Sequence, residues 1–506
     1  MRLRRVEILG GGPGGLYVAR LLKLADPACE VVVHEQGEPD TTFGFGVGLA
    51  AGTQRKLEAA DPDSLTDLVT AGLRHNMTMQ VGSDIARVYT DRLVGVARTE
   101  LLAVLQRHAE KAGVELRFGA RRVADELDAD VVVAADGVSS VTRESGPFGA
   151  RIDVGKGLYL WCGADFALDD AMFSPVTTEH GTFVTHAYPY SGGRSTFLIE
   201  TDEETWRRAG FDATTAALES GSTPPEASDE TSLRYLGEAF AEQLRGHPLI
   251  GNRTRWLRFR TVRAETWSSG NVVLLGDAAH TAHPSIGSGT KLAMEDAIVL
   301  VEQLRVEPDA PSAFRRYEDI RRPAVERLQE LARRSQLWWE SFPCRMHLPA
   351  QQLMVAYMSR AGNVPLARFA QTSPDVVGRA LEQYGGERPE GDLTNWVFDR
   401  PLVHEGLRIP SRTSVPELTR LASDLDDPWS PEGDLLVARA RDCQGVLLTG
   451  PAARSALLTR LDLAERVRME TGTLTAVEGP AALRDDLSVG LVSGRTDLVA
   501  LTEETA

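Results

Sequence analysis

The chain has 506 residues and a formal net charge of −17, with 42% hydrophobic and 25% charged residues. Its length suffices for roughly two or three domains, and its acidic balance argues against a nucleic-acid partner, because phosphate contacts need clustered Lys and Arg. No apolar run reaches the ~20 residues of a membrane span, and no signal peptide is expected. The cysteines lack a CxxC pair, which disfavours a metal site or disulfide framework and suits free thiols in the cytoplasm.

A strand, a glycine-rich turn and a helix are predicted at the start of the chain. The apolar run 6–9 predicts a buried strand, and residues 16–22 carry apolar side chains at helical spacing. The turn between them reads Gly10-Gly11-Gly12-Pro13-Gly14-Gly15. Its first glycine permits the tight turn, its third lets the backbone approach a diphosphate, and its last lets helix and strand pack closely. Because a helix start favours negative charge, the segment predicts a dinucleotide site.

The following elements continue an α/β pattern. Residues 31–35 predict a second buried strand that ends at Glu35, where a carboxylate suits the ribose hydroxyls of a dinucleotide. Residues 41–52 are rich in glycine and are expected to be irregular, whereas residues 98–112 predict an amphipathic helix.

Two further glycine motifs follow buried strands. The strand 130–135 leads into Asp136-Gly137-Val138-Ser139-Ser140-Val141-Thr142-Arg143. The strand 271–275 leads into Gly276-Asp277-Ala278-Ala279-His280, followed by Pro284, Gly287, Ser288 and Gly289. Helices are predicted at 290–304 and 313–340, and the alternating runs between 158 and 201 predict antiparallel sheet.

The three motifs in this order resemble the FAD-binding frame of the single-component, group A flavin monooxygenases of para-hydroxybenzoate-hydroxylase type. The resemblance implies an α/β fold, with a Rossmann-like FAD-binding domain of the GR2 type and an inserted, mainly antiparallel β substrate domain. The cofactor-binding residues expected from the turn and the resemblance are Gly10, Gly12, Pro13, Gly14, Gly15, Glu35, Gln36, Arg98, Asp136, Gly137, Gly276, Asp277, Pro284, Gly287, Ser288 and Gly289. No second GxGxxG appears, so NADH or NADPH is expected to dock transiently.

The predicted domains follow from this frame. The FAD-binding domain is expected at 1–75, 95–157 and 262–345, the substrate domain at 76–94 and 158–261, a helical linker region at 346–400, and a small C-terminal α/β appendage at 401–506. The appendage faintly resembles the start of an old-yellow-enzyme barrel, but a complete (β/α)₈ barrel needs at least ~200 residues. It is interpreted as a reduced barrel or an unrelated cap.

The first 345 residues are similar to one branch of the family. Thr42-Phe43-Gly44-Phe45-Gly46-Val47 resembles the WGFGV stretch of the salicylyl-CoA 5-hydroxylases, anthraniloyl-CoA monooxygenases and the violacein tryptophan-type hydroxylase. The resemblance implies a monomeric or homodimeric hydroxylase that uses NAD(P)H and O2. Through a flavin C4a-hydroperoxide it would insert one oxygen ortho or para to a ring OH or NH2. A CoA or carrier-protein thioester of salicylate or anthranilate is the first substrate expected, and a free aromatic amino acid, indolic or polyketide intermediate is the second.

Histidines are the candidates for adjusting the protonation of the ring substituent. His180, His186 and His280 are the catalytic candidates, and the expected substrate pocket comprises Phe45, Gly46, His186 and His283. On an alternating strand His180 and His186, six residues apart, would point to one face. Two alternatives remain: a flavin reductase of geranylgeranyl-reductase type that inserts no oxygen, and a catalytically silent flavoprotein whose tail serves interaction.

Overall fold

The computed structural model describes residues 1–39, 44–220, 224, 226–287 and 289–503, apart from the side chain of Asp91. The chain divides into two compact units. Unit 1 comprises Met1–Thr78 and Thr90–Glu340, and unit 2 comprises Met79–Tyr89 and Ser341–Ala506. Within the described ranges, no helix combines the length and the apolar character needed to cross a bilayer.

The described strands, in chain order, are β1 (Arg5–Leu9), β2 (Glu30–His34), β3 (Gly46–Leu49), β4 (Leu73–Val81), β5 (Asp84–Ala97), β6 (Glu115–Arg117), β7 (Val131–Ala134), β8 (Arg151–Ala164), β9 (Ala171–Thr178), β10 (Gly181–Ser191), β11 (Arg194–Thr201), β12 (Leu249–Ile250), β13 (Trp256–Arg263), β14 (Ser268–Ser269), β15 (Val272–Leu274), β16 (Leu402–His404), β17 (Leu407–Ile409), β18 (Thr419–Ala422), β19 (Gly445–Thr449), β20 (Leu474–Pro480) and β21 (Leu498–Thr502).

The described α-helices are α1 (Pro13–Ala25), α2 (Ala51–Ala60), α3 (Pro62–Ala71), α4 (Arg98–Lys111), α5 (Val141–Ser145), α6 (Glu203–Arg208), α7 (Phe211–Glu219), α8 (Glu230–Ala239), α9 (Ala241–Leu244), α10 (Gly289–Val306), α11 (Ala310–Glu340), α12 (Ala350–Ser359), α13 (Leu366–Thr372), α14 (Pro374–Gly385), α15 (Leu393–Phe398), α16 (Pro431–Arg441), α17 (Arg454–Thr471) and α18 (Arg484–Val492). Short 3₁₀ turns lie at Ala124–Glu126, Gly276–Ala278, Pro284–Ile286, Phe342–Arg345 and Ala481–Leu483.

The first sheet of unit 1, here called the cofactor sheet, has the order β14-β15-β7-β1-β2-β6. β1 pairs in parallel with β2 on one side and with β7 on the other. The chain passes from β1 to β2 and later returns to the opposite flank at β7, so the strand order reverses at β1. Open α/β sheets bind ligands outside the carboxyl ends of their strands at such a switch point. The first two glycine motifs follow β1 and β7 at this point.

The second sheet of unit 1, here called the pocket sheet, has the order β12-β8-β11-β10-β9-β4-β5-β3, with β13 paired to β8. Residues 79–89, at the tip of β4 and β5, belong to unit 2. One face of the sheet is apolar: Phe183 of β10 and Phe197 of β11 pack into a core with Phe211, Leu236 and other residues of α7–α9. Because side chains alternate along a strand, His186, Tyr188 and Tyr190 of β10 lie on the opposite face, here called the pocket face.

Unit 2 contains a parallel sheet in the order β18-β19-β20-β21, here called the tail sheet. α16, α17 and α18 each lie between two consecutive strands in the chain, and Ile409 of the β16–β17 hairpin joins a core with Leu447 and Leu498. Sequential parallel strands that alternate with helices are the arrangement of a (β/α)₈ barrel, here at half its strand number in the described residues. The reduced barrel and the unrelated cap both stay predictions for the tail.

Most long elements confirm the sequence predictions. The helices expected at 98–112, 290–304 and 313–340 are α4, α10 and α11. The prediction that residues 41–52 are irregular is wrong within the described part of that segment. Gly46–Leu49 form β3, which pairs with β5, and α2 begins at Ala51. The glycines are compatible with a strand here because β5 supplies the backbone hydrogen-bond partners.

Candidate active site

The glycine turn after β1 is shaped by close backbone contacts. Gly10 has a φ of +103°, a region that favours glycine, and its N–H donates to His34 O at 2.8 Å. A Cβ on Gly15 would overlap the carbonyl oxygen of Gly10, so the start of α1 and the turn pack without room for a side chain. These two glycines therefore serve the fold of the turn.

Gly12 differs from its neighbours, because a Cβ there would have no atom of the described residues within 4 Å. It is the N-cap of α1, and no side chain of the described residues caps this helix. The N–H groups of the first turn are thus available to a diphosphate, which the helix dipole also favours. Beside the turn, the Glu35 carboxylate accepts from the N–H groups of Gly11 and Gly37, both at 2.7 Å. Gln36 is exposed.

The second motif places a carboxylate at the carboxyl end of β7. Asp136 Oδ2 accepts from the N–H and the hydroxyl of Thr142 at 3.2 and 3.1 Å. Its Oδ1 is buried and has no hydrogen-bond partner among the described residues. An orphaned buried acceptor is costly unless a ligand donor meets it. Gly137, at a φ of +81°, turns the chain away from β7.

Arg143 joins the second motif to the third. Its side chain is buried, and it donates to Val138 O at 2.7 Å and to Ala278 O at 3.0 Å. One guanidinium thus bonds backbone carbonyls of both segments. The arginine of this motif therefore holds the Gly276–Ala278 turn next to the strand end that carries Asp136.

A buried ion network contacts the backbone of the third motif. Asp296 of α10 accepts from Gly276 N–H at 3.2 Å, contacts His280 Nε2 at 2.9 Å, and accepts from Arg321 Nε at 2.7 Å. Burial alone would raise the pKa of Asp296, but His280 and Arg321 hold it below its ordinary value. His280, a catalytic candidate, is thus part of the network that fixes the turn bearing Asp277.

Asp277 and Arg98 lie together near the pocket face. Burial raises the pKa of Asp277 above its ordinary value, while His280 and Arg98 oppose that shift. Burial lowers the pKa of Arg98, and Asp277 and Tyr188 oppose that shift. Arg98 begins α4, and its N–H donates to Phe45 O at 2.7 Å. The half-buried carboxylate and guanidinium thus lie between the cofactor sheet and the pocket sheet of unit 1.

These residues fit a dinucleotide cofactor of the FAD type. An uncapped helix start, an open Gly12 and an orphaned Asp136 oxygen converge at the switch point of the cofactor sheet. Further along, Pro284 begins a 3₁₀ turn, Gly287 follows it with a φ of +63°, and Gly289 begins α10. Thr42, Phe43 and Ser288, which the motifs include, lie outside the described residues.

The pocket face of the second sheet carries a row of side chains across four strands. Strand register places Phe173, His186, Leu198 and Trp161 opposite one another on β9, β10, β11 and β8. Trp339 of α11 lies over His186, with ring centroids 4.0 Å apart, and Phe173 meets the same imidazole edge-on at 5.3 Å. His186 therefore lies in a mainly aromatic surrounding.

The predicted pocket residues Phe45 and Gly46 lie along the same face. Gly46 N–H donates to Thr196 Oγ1 at 2.8 Å, and Tyr188 donates its hydroxyl to Gly46 O at 2.7 Å. Phe45 packs with Tyr190, Ala97 and Trp161. A Cβ on Gly46 would come within 2.9 Å of Thr196 Oγ1, so the segment needs glycine to approach the sheet.

His180 and His283, the other two candidate histidines, do not belong to the row of side chains around His186. The expectation that His180 shares an alternating strand with His186 is wrong, because β10 begins at Gly181 and His180 occupies the preceding turn. Its ring lies 5.7 Å from Tyr235 of α8. His283 is buried before the Pro284 turn, where Nδ1 lies 2.9 Å from Ser285 Oγ and the ring meets Phe259 edge-on at 5.1 Å.

Several residues of the pocket face were not predicted as site residues. Tyr188 stacks on buried His75 of β4 at 6.2 Å, and burial raises the pKa of Tyr188 to about 12. Glu200 of β11 lies 3.4 Å from His186 Nε2. The alternation of His186, Tyr188 and Tyr190 indicates that these side chains share one face of β10. Their partners on β4, β11 and α11 come from distant parts of the chain, and local sequence does not specify them.

Known proteins match this chain along its length. A family model described as FAD binding domain matches residues 99–332. Salicyloyl-CoA 5-hydroxylase of Streptomyces sp is 37% identical over 99% of this chain and 100% of its own length. The 3-hydroxy-4-methyl-anthranilyl-(aryl-carrier protein) 5-monooxygenase of Streptosporangium sibiricum is 38% identical over 71% of this chain and 95% of its own.

More distant matches agree with the fold. Protodeoxyviolaceinate monooxygenase of Chromobacterium violaceum is 30% identical over 71% of this chain and 95% of its own. Among solved structures, the tetrameric form of 2-methyl-3-hydroxypyridine-5-carboxylic acid oxygenase superposes with a TM-score of 0.52 at 19% identity, covering 75% of this chain and 97% of that one. At this identity the superposition supports the shared architecture alone.

Proposed function

The chain belongs to the FAD-dependent aromatic monooxygenases, and on that premise we propose that it hydroxylates a salicylyl-type thioester at ring carbon 5. The full-length similarity to salicyloyl-CoA 5-hydroxylase carries this proposal, since it includes the tail as well as the FAD frame.

Membership of the family fixes the general chemistry. The protein is an oxidoreductase that uses FAD, with NAD(P)H and O2 as co-substrates, to hydroxylate aromatic rings. When bound, FAD supplies the electron transfer and the oxygen activation. The residues of the chain bind and orient the reactants, exclude water and manage the proton of the ring substituent.

Two relatives point to the same kind of ring. Both names place the new oxygen at position 5, and both describe an ortho-substituted benzoyl group attached to a carrier, CoA in one and an aryl-carrier protein in the other. Carbon 5 is para to a substituent at carbon 2, where a hydroxyl or amino group donates electron density. The proposed substrate therefore combines a donor at carbon 2 with a thioester at carbon 1.

We assign the ring to the pocket face of unit 1. The aromatic surfaces of Phe173, Trp161 and Trp339 suit a flat substrate, and His186 lies among them. His186 would accept the proton of the ring hydroxyl as electron density moves toward carbon 5. Arg98, Asp277 and the Gly12 turn would hold the cofactor, and Asp296 with His280 would keep the Asp277 turn in place.

The test measures NAD(P)H oxidation, O2 uptake and product mass together on the FAD-loaded enzyme. Salicylyl-CoA is expected to accelerate NAD(P)H oxidation and to give a product heavier by one oxygen atom, with NMR placing the hydroxyl at carbon 5. Free salicylate serves as the matched control without the thioester. If free salicylate or tryptophan is hydroxylated and the thioester is not, the thioester assignment is wrong.

A second candidate is an anthranilyl-type ring on a carrier protein, which the 38% identical relative favours. The same assay with anthraniloyl-CoA and an anthranilyl-loaded aryl-carrier protein separates the two. A carrier-protein substrate that is used at least tenfold more efficiently than either CoA thioester would move the assignment to this candidate. A geranylgeranyl-reductase-type activity would consume NAD(P)H without an oxygen-containing product.

A further inference from the structure

We infer that Glu200 is a positioning residue for His186, forming with it a carboxylate–imidazole pair that takes up the proton of the substrate. The inference rests on the proposed function, in which His186 accepts that proton. Glu200 is not among the site residues predicted from the sequence, because its pairing with His186 depends on the register of two strands.

Strand register brings the two side chains to the same face. His186 of β10 is paired with Leu198 of β11, and Glu200 follows Leu198 by two residues. Residues two apart on a strand share a face, and such diagonal neighbours across an antiparallel pair lie within reach of long side chains. Glu200 Oε1 lies 3.4 Å from His186 Nε2, and both side chains are largely buried, at 13% and 9% exposure.

Side chains of three neighbouring elements lie around the pair. β9 contributes Phe173 and α11 contributes Trp339, both uncharged, against the imidazole. β8 contributes Tyr159, which is paired with Glu200 across the sheet. Burial and the nearby Glu200 carboxylate raise the pKa of Tyr159 to about 12, so this phenol stays neutral beside the carboxylate. The aromatic surroundings reduce solvent screening, which strengthens the interaction of a carboxylate with a cation.

This arrangement suits an imidazole that gains a proton during the reaction. The O–H bond of the ring hydroxyl breaks, an N–H bond forms on His186, and the electron pair of the oxygen moves into the ring toward carbon 5. The resulting imidazolium is stabilised by the Glu200 carboxylate, whose Oε1 lies 3.4 Å from Nε2. No further co-reactant takes part in this proton step.

The test uses the FAD-loaded full chain with E200Q, E200D, H186Q and the H186Q/E200Q double variant. E204Q is the matched control, because Glu204 also lies beside a basic side chain, Arg208 at 3.1 Å, but on the exposed surface of α6. FAD content and unfolding temperature establish that each variant is folded. Hydroxylated product, NAD(P)H consumed and KM are then measured for each.

We expect E200Q to lower kcat for product by about tenfold to a hundredfold with KM changed less than threefold. E200D should recover part of that loss, E204Q should match wild type, and H186Q/E200Q should be no slower than H186Q. A wild-type kcat in E200Q would overturn the inference. So would a double variant whose loss is the product of the two single losses, because independent roles multiply.

A substrate-free measurement separates this inference from the proposed function. The titration of His186 is followed by NMR of ¹³C-labelled histidine, with H186Q to assign the signal. Loss of the carboxylate in E200Q should move the titration midpoint to lower pH. If the midpoint shifts in E200Q but the enzyme turns over no thioester, the proposed substrate is wrong and the His186–Glu200 pair is supported. If the midpoint is unchanged and the enzyme hydroxylates the thioester, the pair is wrong and the substrate is supported.

Discussion

The cofactor sheet of unit 1, parallel except for its edge strand β14, and the parallel tail sheet of unit 2 differ in strand order. The strand order of the cofactor sheet reverses at β1, which leaves a crevice between the carboxyl ends of β1 and β7. The tail sheet runs in sequence from β18 to β21 and has no reversal among its described strands. A crevice formed by a reversal of strand order is therefore present in the first sheet and absent among the described strands of the second.

The residues at the strand ends of the two sheets differ only in part. After β1 the chain carries an open Gly12 at an uncapped helix start, and after β7 it carries the orphaned oxygen of Asp136. In unit 2, Ser430 Oγ accepts from Gly433 N–H at 3.2 Å and caps α16 with a side chain of the chain itself. α17 and α18 begin without a side-chain cap among the described residues, so capping does not separate the two sheets, and the difference that the comparison leaves is strand order.

The largest effect is expected for Gly15→Ala. The new Cβ would overlap Gly10 O, so the turn must shift away from the position proposed to hold the cofactor. We expect FAD affinity to fall more than a hundredfold and the free energy of unfolding of unit 1 to fall by about 3 kcal/mol. Fluorescence titration with FAD and hydrogen exchange over residues 5–34 measure the two. A variant that binds FAD normally would contradict the assigned geometry of the turn.

Loss of one buried ion pair in unit 2 should strongly lower the free energy of unfolding of that unit. Arg345 Nε and Nη2 donate to the two carboxylate oxygens of Glu465 at 2.8 and 2.6 Å, and both side chains are nearly inaccessible. Glu465→Gln leaves the guanidinium uncompensated, which should cost about 3 kcal/mol of the free energy of unfolding. Urea unfolding with hydrogen exchange in unit 2 measures the loss. FAD affinity should be unchanged.

The same pair gives unit 2 a pH dependence. Although burial acts in the other direction, Arg345 and other arginines hold the pKa of Glu465 below its ordinary value of 4.5. A depressed carboxyl pKa stabilises the fold above the ordinary value, and that stabilisation is lost as pH falls through the lowered one. Unit 2 should therefore weaken below about pH 4.5 in wild type, and less so in E465Q. Equal slopes in the two proteins would assign the acid sensitivity to other groups.

Gly12→Ala should lower the affinity for FAD while leaving the stability of the fold nearly unchanged. Because no described atom lies within 4 Å of the new Cβ, the free energy of unfolding without cofactor should change by less than about 0.5 kcal/mol. The methyl group would occupy the approach of a diphosphate, so FAD affinity should fall about tenfold to a hundredfold. Isothermal titration with FAD measures the affinity. Unchanged affinity would mean that the diphosphate lies elsewhere.

The cofactor frame could be predicted from the sequence because its determinants are local. The turn after β1, the start of α1 and the Gly276 turn each need particular residues within a few positions, since a Cβ at Gly10 or Gly15 meets the backbone. Arg98 and Asp277 were also named from the sequence, through the resemblance to known enzymes, and the structure places them together.

The pocket face could not be predicted in the same way. Alternation along β10 predicts that His186 and Tyr188 lie on one face of the strand. It does not predict which side chains of other elements contact that face. Trp339 arrives from α11, more than 150 residues later in the chain, and Glu200 arrives through the register of β10 with β11. His180 was misplaced because the strand boundary at Gly181 falls one residue after it, and boundaries depend on pairing rather than on local pattern.

The smallest effect is expected for Arg420→Gln on the tail sheet. Arg420 of β18 donates to Glu478 of β20 at 2.8 Å across the intervening strand, and the arginine side chain is 62% exposed. An exposed pair of this kind contributes less than about 1 kcal/mol to the free energy of unfolding, and that loss should fade in 1 M salt. FAD affinity and the rate of hydroxylation should stay at wild-type values, because the strand ends of this sheet lack a switch point. A tenfold change in either one would show that the tail sheet takes part in the reaction, and the contrast between the two sheets would no longer account for where this protein binds its ligands.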